Sequence, residues 1–176
     1  MVNMTVHNIL LATKGELLCG NENTVIETIS IESKKIRENT LFVPIKGERT
    51  DGHIYIEDAL SLGAQATLTS NHFHMNSEKT WILVKDTKKA LQDIASYYIR
   101  KQNVPVVGIT GSVGKTTTRE LVAKALSAEL SVYQTPGNKN SQTGVPLSLA
   151  EVGSEDIAII ELGISEFGEM EALSKI

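Results

Sequence analysis

The sequence is short of cysteine: Cys19 is the single one in 176 residues. An internal disulfide and a four-cysteine zinc site are thereby excluded, and the composition fits a reducing compartment, the cytoplasm. The expectation for Cys19 is a buried small hydrophobe. Net positive charge is missing too. Seventeen Lys and Arg stand against 21 Asp and Glu, a formal charge of −4, whereas general binders of nucleic acid or anionic membrane need clustered cations. Any anion must be gripped locally. Long apolar runs are absent. The N-terminal stretch "MVNMTVHNILLATKGELLCG" offers only "ILLA", too short for the core of a secretory signal or for a membrane span. The expected partners therefore include neither nucleic acid nor membrane. No internal repeat or low-complexity segment occurs. His7, His53, His72 and His74 make no ligand pattern, and the "HFH" of His72 and His74, in a polar stretch, reads as a solvated turn rather than a metal site.

What is present is a soluble globular composition, 41% hydrophobic and 22% charged, in a chain long enough for a real core. Residues 1–102 balance 12 basic against 12 acidic side chains, while 103–176 hold 5 against 9, so a boundary is expected near Asn103. In the first part, "TVHNILLATKGELLCG" suggests an amphipathic helix stopped by glycine, and "IETISIES" and "TLFVPI" suggest strands. A helix over "GHIYIEDALSLGA", strands at "QATLTS" and "TWILVKD", and a helix over "TKKALQDIASYYIRKQN" complete a small mixed α/β domain. The second part alternates more cleanly. "VPVVGI" reads as a buried strand, "KTTTRELVAKALSAEL" as a helix, "SVYQT" as a strand, "VPLSLAE" as a short helix, "DIAIIEL" as a buried strand, and "EFGEMEALSKI" as the start of a helix. This rhythm implies parallel strands with crossover helices. The expected fold class is α/β: a small mixed domain over 1–102, then, over 103–176, the first part of a mostly parallel-sheet domain. Three strands leave exposed edges, so the remainder of the same polypeptide is an expected partner.

Between the "VPVV" strand and its helix lies "GITGSVGKTTT". A glycine-rich turn feeding a helix gathers backbone N–H groups around one anion at the positive end of the helix dipole. Gly111 and Gly114 permit unusual dihedrals. Lys115 can reach β- and γ-phosphate oxygens, and Thr116 supplies a hydroxyl for Mg²⁺. The candidate ATP-binding residues are Gly111, Ser112, Val113, Gly114, Lys115, Thr116 and Thr117. The strict phosphate-loop pattern puts its first glycine at position 109, where this chain has Ile, so the motif is a variant. A bare strand-to-helix connection would explain the glycines but not the lysine with three threonines behind it. The carboxylate for the metal is expected at Glu161, which ends the apolar run "DIAII": a glutamate there prefers a metal-facing crevice to isolation. A solvent-facing strand end is the alternative. Glu155 and Asp156 read as loop charges.

These segments, with "TPGNKNSQTGVPLSL" and "IAIIELGISEFGEM" after the loop and "ISIESKKIRENTLFVPIKGERTDGHIYIEDALSLGA" before it, resemble the Mur ligase family over nearly the whole chain. The likeness is to the member that adds D-alanyl-D-alanine to UDP-N-acetylmuramoyl-tripeptide. It implies a UDP-binding domain over 1–102 and a partial ATP-binding domain over 103–176. By the same likeness Lys115 is a γ-phosphate ligand and catalytic, Thr116 and Glu161 are Mg²⁺ ligands, and Asn138 is a catalytic contact near the substrate. Ser33, Lys34, Gly47, Asp51, Gly52 and His53 fall to the UDP-linked substrate. Two departures stand out. Where the family carries Asp-Ser-Arg this chain has Glu32-Ser33-Lys34, replacing a guanidinium fork by a compact ammonium. Where the family has paired asparagines and an isoleucine it has Asn140-Ser141 and Thr143. Ser33 could instead close a turn, His53 could cap or pack, and Asn138 after Gly137 suits any turn.

The implied reaction activates a carboxylate as an acyl phosphate for attack by an amine. Phosphate loop and metal serve the first half of it, and the family's downstream histidine, carbamylated lysine, adenine and dipeptide sites have no counterpart in these 176 residues. The expectation is an N-terminal fragment without ligase activity alone. Rival expectations are another Mur-type ligase, a folylpolyglutamate synthetase, which lacks the UDP-binding half, and a phosphate-loop switch that acts through a protein partner.

Overall fold

The computed structural model describes residues 1–71 and 78–176; His72 and His74 lie outside them. By internal contacts the chain divides into two compact units, Met1–Ile94 and Ala95–Ile176.

In the first unit the opening helix α1 is short, Val6–Thr13, and what stops it is Lys14, which adopts the left-handed conformation at φ 53°. A glycine-stopped helix through Gly20 was the expectation. Instead "ELLC" forms strand β1, Glu16–Cys19: one turn after the helix ends, its alternating side chains find a partner strand. Cys19 is half-buried rather than buried and packs beside the Trp81 cluster. Strands β2 (Thr28–Ser30), β3 (Thr40–Phe42), β4 (Ala66–Thr69) and β5 (Thr80–Leu83) follow, with α2 (Ile56–Ser61) between β3 and β4. The sheet runs β1-β5-β4-β3-β2, with β1 antiparallel to β5 and the other pairs parallel. Phe42, Ile56, Ala59, Leu60, Ala64 and Trp81 form a buried cluster that seats α2. Because β2, β3 and β4 run parallel, the loops after them emerge at one edge, where ligands of such sheets collect.

Helix α3, Thr87–Gln102, spans the division between the units. Its repeat of Ala90, Leu91, Ile94, Ala95, Tyr98 and Ile99 is buried, as the periodicity requires.

The second unit holds β6 (Val106–Ile109), α4 (Lys115–Leu126), β7 (Val132–Gln134), α5 (Gly144–Leu149), β8 (Ile157–Glu161) and α6 (Glu169–Ser174). Its sheet is fully parallel, in the order β6-β8-β7. Ala95, Ile99, Val145, Leu149, Val152, Ala158, Ile160 and Leu173 make the core. The expectation of a buried strand holds for β8 and fails for β6. Strand β6 pairs on one side only, and Val106 and Val107 stay 43% and 39% exposed. Helix α4 ends at Leu126, sooner than its pattern suggests, where the Ser127 hydroxyl donates to the Ala123 carbonyl at 2.7 Å. Asp156 accepts from the Ser131 amide at 2.7 Å and Glu155 from the Gly153 amide at 2.6 Å. Both are the loop charges that they were expected to be. No helix among the described residues is long and apolar enough to cross a membrane.

Candidate active site

The glycine-rich loop leaves β6 and turns into α4. Gly111 has φ 148° and Gly114, at the helix start, φ 76°, dihedrals that a side chain at either position would resist. The first helical bond is Thr118 N–H to Gly114 O, 2.9 Å, so the amides of Lys115, Thr116 and Thr117 have no partner within the helix. Together with the dipole of a twelve-residue helix they form a cradle for an anion. Lys115 Nζ folds back over the loop and donates to the Gly111 carbonyl at 2.8 Å. Ser112 and Val113 lie at the loop's crest, Val113 90% exposed.

Glu161, the last residue of β8, lies beside this loop with its side chain 3% exposed. The Thr116 hydroxyl donates to its Oε2 at 3.0 Å. Two residues that the motif did not single out complete the arrangement: Arg119 Nη1 donates to the same Oε2 at 3.2 Å, and Asn140 Nδ2 donates to Oε1 at 2.8 Å. The Glu161 amide donates to the buried Thr135 hydroxyl at 2.9 Å. Arg119 was legible in principle. Lys115, Arg119 and Ala123 share one face of α4, so a charged side chain stands on the stripe that the helix turns inward. Asn140 had a signal only as half of the altered asparagine pair.

This donor set fits a hard divalent cation. A carboxylate has about four lone-pair positions, of which Thr116, Arg119 and Asn140 occupy three, leaving one on Oε1. Thr116, whose O–H points to Glu161 in that bond, keeps its own lone pairs for an ion. Among the described residues no group of three or more His, Cys, Asp or Glu could hold a metal alone. An ion here would therefore complete its shell with water and phosphate oxygens, which is how Mg²⁺ is commonly held. Asn138 lies in the turn after β7, where its carbonyl accepts from the Asn140 amide at 2.8 Å.

The remaining candidates belong to the first unit. Ser33 opens a 3-10 turn, Ser33–Lys35, just after β2. That turn is closed by its backbone, the Lys35 amide donating to the Glu32 carbonyl at 3.0 Å, and Ser30 braces its entry, its Oγ donating to the Glu32 carbonyl at 2.8 Å and accepting the Glu32 amide at 3.1 Å. The hydroxyl of Ser33 has no hydrogen bond among the described residues, and Lys34 is exposed beside it. After β3, Lys46 and Asp51 bridge across a tight loop in which the Gly47 amide donates to Thr50 O at 3.0 Å. Gly52 is required by space. A Cβ there would come within 2.7 Å of both the amide nitrogen and the carbonyl oxygen of Ile45. His53 is buried. Its Nδ1 donates to Asp51 Oδ1 at 2.6 Å, and its Nε2 accepts the Ser70 amide at 3.1 Å, which defines the tautomer and ties the loops after β3 and β4 together. The backbone and ring N–H groups of His53 hold the Asp51 carboxyl below its ordinary pKa.

With this geometry in hand, comparison with known proteins is direct. Residues 25–108 match the family described as "Mur ligase family, catalytic domain", and residues 109–176 match the "Mur ligase middle domain". The UDP-N-acetylmuramoyl-tripeptide--D-alanyl-D-alanine ligase of Bacillus subtilis (strain 168) is 38% identical over 179 residues, an alignment covering 100% of this chain and 39% of that protein. A crystal structure of MurF from Acinetobacter baumannii superposes with a TM-score of 0.89 at 30% identity, over 97% of this chain and 37% of the other. MurF ligase from Thermotoga maritima in complex with ADP superposes with a TM-score of 0.78 at 35% identity, over 88% and 36%. In each case the chain spans well under half of the relative's length.

Proposed function

The chain belongs to the Mur ligase family, and from that membership we propose that it supplies the UDP-binding and ATP-binding portions of an ATP-dependent amide ligase. That ligase joins D-alanyl-D-alanine to UDP-N-acetylmuramoyl-tripeptide in the cytoplasm. The boundary between the two functional portions falls at residues 102/103, at the end of α3. The observation that carries the proposal is the 3.0 Å hydrogen bond from Thr116 to the buried Glu161, at the mouth of a loop whose glycines adopt positive φ. A plain strand-to-helix connection does not need a buried carboxylate aimed at the first turn of its helix.

In the reaction, a substrate carboxylate oxygen attacks the γ-phosphorus of ATP and ADP departs, leaving an acyl phosphate. The amine then attacks the acyl carbon, loses a proton and expels inorganic phosphate. The chain's part lies in binding and charge. Free amides at the start of α4 and the Lys115 ammonium offset the charge of the phosphate chain; to do so Lys115 exchanges the Gly111 carbonyl for a phosphate oxygen within the same loop. Thr116 and Glu161 hold Mg²⁺, which when bound supplies Lewis-acid stabilisation of the phosphoryl oxygens. Asn138, in the turn after β7, is assigned to the reacting substrate. At the parallel-strand edge of the first unit, Ser33 and Lys34 are assigned to the diphosphate. Gly47, Asp51, Gly52 and His53 shape the pocket, His53 by clamping the loops and not by offering a free ring nitrogen.

The test is amide formation by the complete polypeptide that carries this chain, with ATP, D-alanyl-D-alanine and UDP-linked mono-, di- or tripeptide. Product with the tripeptide is expected. Preference for the mono- or dipeptide would move the chain to another Mur-type ligase. Slow ATP hydrolysis indifferent to every carboxylate and amine substrate, yet stimulated by a protein partner, would make it a switch.

A further inference from the structure

Arg119 raises a question that nucleotide binding alone does not answer. Its side chain is 6% exposed and its Nε–H is buried without a partner among the described residues. A buried guanidinium with an orphan donor is a poor stabilising element: an apolar side chain of similar volume often serves a core as well or better. What the guanidinium does is geometric. Nη1 donates at once to Glu161 Oε2, 3.2 Å, and to the carbonyl of Gly137, 3.1 Å, while Nη2 reaches Glu120 on the surface at 3.4 Å. One nitrogen thus joins the carboxylate that accepts the Thr116 hydrogen bond to the turn that carries Asn138. Asn140 grips the other carboxylate oxygen, and its own carbonyl accepts the Gly163 amide at 2.7 Å.

We propose that Arg119 is a positioning residue: it fixes Glu161 on the Thr116 hydroxyl so that the threonine lone pairs face the divalent ion, and it conveys the state of that ion site to the Gly137–Asn138 turn. Two effects compete. The guanidinium's positive charge disfavours a cation nearby, and its hydrogen bond favours the one carboxylate orientation the ion needs. The charge is already offset by Glu161 at hydrogen-bond distance, so orientation dominates. Removal of Arg119 should therefore weaken the help that Mg²⁺ gives to nucleotide binding, although it removes a positive charge.

The inference rests on the nucleotide-binding reading above, and the experiment separates the two. The affinity of the chain for ADP is measured by calorimetry with and without MgCl₂, for the parent, Arg119→Lys, Arg119→Met and Arg119→Gln, whose amide can still pair with Glu161 should the Met variant fail to fold. In the parent Mg²⁺ should tighten ADP. In Arg119→Met the ratio of the two dissociation constants should shrink about tenfold, the size expected when a charge-assisted hydrogen bond is lost, and in Arg119→Gln it should shrink less. Arg119→Lys should recover part of it. A general loss of structure would weaken ADP equally with and without the ion and leave the ratio alone. Hydrogen exchange at 137–140 should slow on adding Mg-ADP to the parent and not to Arg119→Met. No ADP binding by the parent overturns the nucleotide-binding reading. Binding by the parent with an unchanged or larger ratio in Arg119→Met, or with unchanged protection of 137–140, overturns the role of Arg119.

Discussion

Replacing Glu161 by Gln changes almost no volume and removes one charge, which makes its cost calculable from the contacts. The carboxylate accepts from Thr116 and Arg119 on Oε2 and from Asn140 on Oε1. An amide must put its NH₂ group at one of those positions. Either Asn140 or the Thr116 and Arg119 pair then faces a donor instead of an acceptor, an unpaired buried donor worth about 1–3 kcal/mol. Arg119, 6% exposed, also loses its counter-charge, and breaking a buried ion pair from one side costs about 3–5 kcal/mol. The two effects overlap, so a total near 4 kcal/mol is expected, or a fall in Tm of about 10 °C in a chain of this size. Urea and thermal unfolding followed by far-UV circular dichroism measure it. Thr116→Val should cost only about 1 kcal/mol, since its hydroxyl lies at the open side. Arg119→Met/Glu161→Leu should return to within about 1 kcal/mol of the parent. A Glu161→Gln protein within 1 kcal/mol of the parent would refute the idea that this carboxylate is a buried, triply bonded anion.

Gly52→Ala should destabilise the first unit by about 1–3 kcal/mol, because its Cβ meets main-chain atoms of Ile45 that cannot swing away; urea unfolding followed by Trp81 fluorescence would show it. Asp51 contributes to stability as an anion, its pKa lowered by the His53 N–H groups. That contribution is complete above the unfolded value of about 3.9 and fades as pH falls through the lower folded value, so the urea midpoint of Asp51→Asn should depend less on pH below about 4 than the parent's. The effect is modest, since the carboxylate is 38% exposed. Ser33→Ala should weaken UDP binding by a few-fold, read by calorimetry, with unfolding unchanged, because the backbone and Ser30, not the Ser33 hydroxyl, hold that turn.

Much of this was written in local sequence. Among the described residues seven of eight strands and six helices lie within the segments that periodicity and turn chemistry mark out, α1 and α4 ending sooner than their patterns suggest. The exception, β1, was hidden since "ELLC" continues the apolar spacing of α1, and only its antiparallel pairing with β5 distinguishes strand from helix. The exposed face of β6 could not be read either. "VPVV" describes side chains, and burial depends on what covers them. At the candidate site, the loop with Lys115 and Thr116 stands out by spacing and Glu161 as the polar end of an apolar strand, and Thr116 and Glu161 do meet, at 3.0 Å. Arg119 showed only as a charge on the inward stripe of α4, and Asn140 only as half of an altered pair, because both meet Glu161 through tertiary packing across 42 and 21 residues of chain. The contact of the His53 Nε2 with the Ser70 amide, seventeen residues on, is a tertiary one that no local spacing announces.

On the proposed reading, the start of α4 holds a nucleotide's phosphates with Lys115 and a divalent ion at Thr116 and Glu161. Its most direct test is a calorimetric titration of ADP with MgCl₂ into the chain and into Lys115→Ala. Saturable binding by the parent is expected, with an affinity at least about tenfold lower in the variant, the loss of one charge-assisted contact to phosphate, and an unmoved unfolding transition. Equal affinity in the two proteins would contradict it.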